Sequence, residues 1–211
     1  MRNSALIVAA GRGTRFGGTL PKQYLEIGGE TVLARSLRAL LLPDIHLVQI
    51  VIHPDDADRC REACAAIDDP RVLAPVTGGS DRRASVLAGL EALEPHDPDT
   101  VLIHDAARPG VTSGTIGALL AALDEVPGAL PALPVIDALW RVKDGHALAE
   151  EPRDRLWRAQ TPQAFRFRDI LAAHRAHAGP ASDDVAVARA AGLEVRIVPG
   201  AEEAFKITSA A

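Results

Sequence analysis

Apolar positions along this chain follow two alternating rhythms. Ser4–Ala10 (SALIVAA), His46–His53 (HLVQIVIH), Arg71–Val76, Thr100–Ile103, Ala129–Val135 and Leu193–Val198 are short, mostly apolar runs, the pattern of strands buried on both faces. Between them apolar residues recur every three or four positions, which predicts helices over Thr31–Leu42, Pro54–Ile67, Asp81–Leu93, Thr115–Leu123, Ala164–His177 and Asp183–Ala191. Val32, Leu33, Ser36, Leu37 and Leu40 share one face of the first helix, which Pro43-Asp44 ends. Asp55 and Asp56 suit the positive end of the second helix, and Ser80 is the predicted N-cap of the third. Strands alternating with helices imply an α/β fold, a mainly parallel sheet with helices on both faces. Leu139–Val142 and His146–Ala149 break the rhythm. Lys143-Asp144-Gly145 joins them with a strong hairpin signal, so a β-arm leaves the main sheet here.

Composition narrows the class. A length of 211 residues suits one domain, and with aromatics at 3% the core is aliphatic. A net charge of −5, without a basic stripe, argues against a nucleic-acid surface. Met1-Arg2-Asn3 leads straight into the first strand, leaving no room for a signal peptide, and no apolar run is long enough to span a bilayer. A cytoplasmic protein without a membrane partner is expected. Cys60 and Cys64, four apart in a helix with no second ligand pair, read as free thiols. His174 and His177 read as surface residues of a polar helix without carboxylate partners for a zinc site.

The chemistry concentrates where the first strand ends. Gly11-Arg12-Gly13-Thr14-Arg15 follows the strand, and Pro21-Lys22-Gln23 comes soon after. Glycines there let backbone N–H groups approach an anion, and Arg15 and Lys22 add cations. The string Gly, four residues, Gly-Lys-Ser/Thr does not occur, and the third glycine of the dinucleotide fingerprint is replaced by Phe16. The loop therefore points to nucleotide phosphates by another route. Ligands of such sheets lie beyond the strand C-terminal ends, which aligns this loop with Gly78-Gly79 and Asp105. Gly78-Gly79-Ser80 reads on its own as an ordinary strand-to-helix turn, although its N–H groups and the Ser80 and Ser85 hydroxyls also suit a base, ribose or phosphate. Asp105 is equally a Mg²⁺ ligand or a partner of Arg108. His104 reads as a packed, hydrogen-bonded histidine. Trp157–Gln163 interrupts the alternation with hydrogen-bonding side chains. Ser182-Asp183-Asp184 suits a helix cap, and Lys206 reads as an exposed lysine on an edge strand.

Together the strings AAGRGTRFGGTLPKQYL, TGGSDRRASVLAGL, HDAARP, LWRAQTPQAF, SDD and FKIT resemble the sugar-phosphate cytidylyltransferases, most closely those acting on 2-C-methyl-D-erythritol 4-phosphate in the non-mevalonate isoprenoid route. They occur in the family's order across nearly the whole chain. The resemblance implies a Rossmann-like nucleotidyltransferase fold, a homodimer in which the β-arm at about residues 137–153 reaches across to the partner subunit, CTP as substrate and Mg²⁺ as cofactor held near Asp105. It implies that CTP lies on Ala9, Ala10, Gly11, Gly13, Gly79, Ser80, Ser85, Asp105 and Ala106. It assigns catalytic roles to Arg15, Lys22, Arg153 and Lys206, and an acceptor site to Asp137, Arg153, Thr161, Ser182 and Lys206. The sequence departs from the family at Ala138, Trp140 and Phe205, where Thr, Lys and Asn are common, and it lacks the acidic helix that usually follows KIT, as in a shortened copy or part of a fusion. The alternatives are a cytidylyltransferase for ribitol 5-phosphate or another pentitol phosphate, and a CTP-binding module with little turnover.

Overall fold

A computed structural model describes residues 1–12 and 20–208 of the chain. Its first half contains β1 (Asn3–Ala9), β2 (Glu26–Ile27), β3 (Glu30–Thr31), α1 (Val32–Leu40), β4 (Ile45–Ile52), α2 (Ala57–Cys64), β5 (Val76–Thr77), α3 (Arg82–Leu93) and β6 (Thr100–Asp105). The second half contains α4 (Ser113–Ala122), β7 (Gly128–Pro134), β8 (Leu139–Lys143), β9 (His146–Glu151), β10 (Trp157–Ala159), β11 (Gln163–Arg166), α5 (Phe167–Ala176), α6 (Asp184–Ala190) and β12 (Val195–Pro199).

The main sheet has the order β10-β7-β11-β6-β1-β4-β5, with β12 also paired to β7. β1 runs parallel to both β4 and β6, and β7 parallel to β12, whereas β10 and β11 run antiparallel to their neighbours. Alternation along β1 explains why both faces are covered. Ala5 and Ile7 pack with Leu33, Leu37 and Leu40 of α1 and Ile116 and Leu119 of α4. Leu6, between them, packs with Val86 and Leu90 of α3 and Ile170 of α5 on the other face. Gly89 is where α3 meets the sheet most closely, because a Cβ there would collide with Leu6 and Val51.

Several sequence expectations change in detail. Over Arg71–Val76 a single bridge joins Val72 to Val48, and a paired strand forms only at Val76–Thr77; Pro75, with no N–H, cannot donate to a ladder. The segment predicted as helix from Ala164 begins as β11, which pairs antiparallel with β6 and buries Phe165, so α5 starts only at Phe167. Ser80 is not the cap of α3: the Asp81 carboxylate accepts from the Ala84 N–H at 2.8 Å. Lys206 lies outside any strand. The β2–β3 hairpin, turned by Gly28 and Gly29 at φ 60° and 80°, was not expected. The arm is present as expected: β8 and β9 pair only with each other, across Asp144 and Gly145 at φ 50° and 81°. Ile136, Trp140, Val142 and Leu148 on and beside it are exposed.

A candidate nucleotide site at the level ends of three strands

Register places the site. Val8 lies opposite Asp105 and Ala9 opposite Ile52, so β1, β4 and β6 finish at one level. Beyond their ends lies a cavity of about 550 Å³. Ala9, Ala10 and Gly11 form one wall, Gly79, Ser80 and Ser85 a second, and Asp105 and Ala106 a third, with Lys22 and Lys206 beside them.

Each wall is fixed by local chemistry. Gln23 is buried, and its amide donates to the carbonyls of Ala9 at 2.7 Å and Gly11 at 3.1 Å, tying the glycine segment to the turn that carries Lys22. Gly11 has no positive φ, and a Cβ there would meet no atom within 4 Å; what its missing side chain leaves open is room in the cavity. At Gly78 a Cβ would sit 2.6 Å from Ser85 Oγ, and at Gly79 it would collide with Ala84. Both glycines therefore allow the turn to lie against α3. The buried Ser85 hydroxyl accepts from the Gly79 N–H at 3.2 Å and donates to the Asp81 carbonyl at 2.8 Å, stapling that turn.

Asp105 is the electrostatic centre. Its Oδ2 accepts from Lys206 Nζ at 2.7 Å, Arg82 Nη2 lies 3.5 Å from Oδ1, and Arg108 Nε lies 3.8 Å from Oδ2. Burial alone would raise its pKa; Arg82 and Lys206 more than offset this and hold it at about 2. Arg108 is a partner as the sequence suggested, but the most distant of the three. Lys22 Nζ donates to the Ile207 carbonyl at 2.7 Å, and the Ile207 N–H donates to the Ala107 carbonyl at 3.0 Å. Residues 206–208 therefore cross the cavity as a strap. Lys206 is exposed as the sequence suggested, but it lies outside any strand and is the nearest ion-pair partner of Asp105.

The neighbouring polar groups support this arrangement. His104 is fully buried and bridges the Arg108 carbonyl and Thr161 Oγ1, each at 3.1 Å. Burial pushes its pKa down to about 4, so it is neutral at pH 7. Thr161 Oγ1 accepts from the Asp105 N–H at 3.0 Å and is itself buried, holding the end of β6 from behind. His174 corrects the surface assignment: it is fully buried, and its Nε2 lies 3.2 Å from Asp184 Oδ1. Cys60 is buried and Cys64 half-buried, both free thiols, and among the described residues no three His, Cys, Asp or Glu side chains cluster to hold a metal.

The structure thus gathers ten predicted residues around one cavity: Ala9, Ala10, Gly11, Lys22, Gly79, Ser80, Ser85, Asp105, Ala106 and Lys206. Gly13 and Arg15 lie outside the described residues. Asp137, Arg153, Thr161 and Ser182 do not line the cavity. Asp137 and Arg153 are exposed at the base of the arm, where Arg153 donates to the Ile136 carbonyl. Ser182 is exposed before α6, whose N-cap is Asp183, accepting from the Ala186 N–H at 2.9 Å. Sequence reasoning missed Arg12, Gln23 and Arg82 in the lining. The position of Arg82 just inside a helix that follows a glycine turn was the available signal.

A mainly parallel sheet with a glycine segment after its first strand, a second glycine turn opposite, and lysines around a buried carboxylate at the strand ends define a protein of the nucleotidyltransferase class. Residues 4–211 match the 2-C-methyl-D-erythritol 4-phosphate cytidylyltransferase family, and the chain belongs to that family. It is 53% identical over 99% of its length to a protein of that name from Cereibacter sphaeroides (strain KD131), covering 92% of that relative. It is 51% identical, over its full length, to 54% of a bifunctional enzyme IspD/IspF from Ruegeria pomeroyi. Among solved structures, the 2-C-methyl-D-erythritol 4-phosphate cytidylyltransferase from Thermus thermophilus superposes with a TM-score of 0.78 at 35% identity, over 99% of this chain and 93% of that one. The 4-diphosphocytidyl-2C-methyl-D-erythritol synthase from Anaerococcus prevotii gives 0.83 at 27% identity, over 98% and 90%.

Proposed function

We propose that this chain, as a single nucleotidyltransferase domain, transfers CMP from CTP to 2-C-methyl-D-erythritol 4-phosphate, giving 4-diphosphocytidyl-2-C-methylerythritol and pyrophosphate in the cytoplasm. The observation that carries the reading is the meeting of Lys22, Lys206 and Asp105 with Gly11 and Gly79 in one cavity, in a chain of this family. The acceptor phosphate is already an anionic nucleophile, so no covalent intermediate or strong base is required. Its oxygen attacks the α-phosphorus in line, and the work left to the protein is alignment and neutralisation of charge. Lys22 stands on the turn beside the glycine segment, suited to the developing charge on the α-phosphate and leaving pyrophosphate; Arg15 is assigned the same task. Lys206 and Arg153 are assigned to the acceptor phosphate, and Asp137, Thr161 and Ser182 to the rest of the acceptor site.

The donor set suits Mg²⁺ better than zinc: two carboxylates, Asp105 and Asp81, line a cavity sized for phosphates, and Mg²⁺ commonly takes one or two carboxylates with phosphate oxygens and waters. Bound there, it would supply neutralisation of phosphate charge. The exposed apolar side chains of the arm, with Arg153 at its base and away from the cavity of its own chain, support a homodimer in which Arg153 serves the partner's site.

The test is pyrophosphate release with CTP, Mg²⁺ and 2-C-methyl-D-erythritol 4-phosphate, with ribitol 5-phosphate as a parallel acceptor. Turnover with the first acceptor is expected. Turnover only with ribitol 5-phosphate would reassign the acceptor, and CTP binding without turnover on either would refute the transferase reading.

A further inference from the structure

Behind the cavity wall lies a charged chain that the proposed chemistry does not use. Asp184 is fully buried at the start of α6. Its Oδ2 accepts from Arg82 Nη2 at 2.7 Å, its Oδ1 lies 3.2 Å from His174 Nε2, and its backbone N–H donates to Gln163 Oε1 at 3.0 Å. Gln163 is buried in β11, and its amide donates to Asp183 Oδ2 at 3.0 Å. Asp184 is therefore hydrogen-bonded by Arg82 and Gln163, with His174 in close contact at its other carboxylate oxygen. Arg82 is the one member of this chain that reaches the cavity.

Among the described residues, both protein contacts of the Arg82 guanidinium are made through Nη2, to Asp184 and, at 3.5 Å, to Asp105. Nε and Nη1 have no protein acceptor there, although Arg82 lines the cavity beside Gly79 and Ser85. A buried ion pair adds little net stability over an apolar pair of equal volume. What it does add is direction, since a planar guanidinium anchored at one nitrogen presents the others at a fixed angle.

Resting on the nucleotidyltransferase reading, we propose that Arg82 contacts an anionic or ribose oxygen of the bound nucleotide, and that Asp184, braced by His174 and Gln163, is the positioning residue that aims it. Neither Asp184 nor His174 lines the cavity. Their influence on the nucleotide therefore passes through Arg82.

The experiment compares Asp184→Asn, Arg82→Gln and the double variant with the unaltered protein, measuring kcat and KM for both substrates alongside thermal melting. Asp184→Asn and Arg82→Gln should each raise the KM for CTP roughly tenfold, within the range of couplings between contacting groups, and leave the KM for the acceptor phosphate unchanged. The double variant should be no worse than Arg82→Gln alone. A purely structural role would lower the melting temperature and the number of active molecules, leaving the KM for CTP in place; that result, or additive effects in the double variant, would overturn the proposal. Should Asp184→Asn fail to fold, His174→Gln replaces it, with a smaller rise in the KM for CTP expected and an unmoved KM counting against the proposal. An inactive unaltered protein would instead refute the transferase reading itself.

Discussion

Replacing Asp105 by Asn removes the negative charge that Lys206, Arg82 and Arg108 surround while keeping the side chain's shape. In the folded protein burial works against the carboxylate's charge, but Arg82 and Lys206 more than offset it, so its pKa is about 2 against an ordinary 3.8. Each unit of difference is worth about 1.4 kcal/mol, so the charged carboxylate contributes about 2 kcal/mol to folding. The sign follows from the depressed folded value: this contribution is complete above the unfolded pKa, near pH 4, and disappears as pH falls through the folded one, near pH 2. Urea unfolding of both proteins across this range is the assay. Asp105→Asn should be less stable by about 2 kcal/mol at neutral pH, keep that deficit down to about pH 4, and approach the unaltered protein below it. Groups that do not sense the Asp105 charge cancel in the difference; His104 does sense it, and its lower pKa in the variant offsets part of the convergence below pH 4. A deficit independent of pH, or none at neutral pH, would show that the three cations do not stabilise the carboxylate as the geometry implies.

Lys22→Ala and Lys206→Ala should each lower kcat by about a hundredfold or more; a loss of less than about threefold in steady-state pyrophosphate release would remove that lysine from the catalytic set. Gly79→Ala would push the turn away from Ala84 of α3, so calorimetry should show weakened CTP binding and melting should come at a lower temperature. Mixing separately inactive Lys22→Ala and Arg153→Ala dimers, with exchange of subunits, should restore about a quarter of normal activity if Arg153 acts across a two-fold interface, and none if it acts within its own chain.

What the sequence disclosed about this fold was whatever lies contiguous along it. β1, β4 and β6 are buried on both faces and declare themselves as short, mostly apolar runs. The arm was visible in Asp144-Gly145, because few residues adopt the left-handed turn found there. β11 was hidden because four residues are too few for a period, and the helical pattern of α5 absorbed them. The site followed the same rule. Lys22, Gly79 and Asp105 stand in short strings with recognisable chemistry, whereas His174 was misread because its partner, Asp184, lies on another helix. Gln23 acts on backbone carbonyls that no local pattern assigns to it, and the glycine turn before Arg82 marks its place near the site but not its partner Asp184, about a hundred residues away.

The strap formed by residues 206–208 also bears on synthesis. β1, β4 and β6, the helices α1 and α3 that cover them and both glycine turns are in hand once β6 has emerged, so a growing chain has the means to begin its sheet early. Lys206 comes about a hundred residues after its partner Asp105, and the carbonyl that receives Lys22 follows it. A ribosome-bound fragment stopped short of them would hold Asp105 without its nearest cation and Lys22 without that anchor. Assembly of the site is thereby postponed until long after its walls exist, and cutting the chain just before residue 206 would disarm a protein whose sheet remained intact.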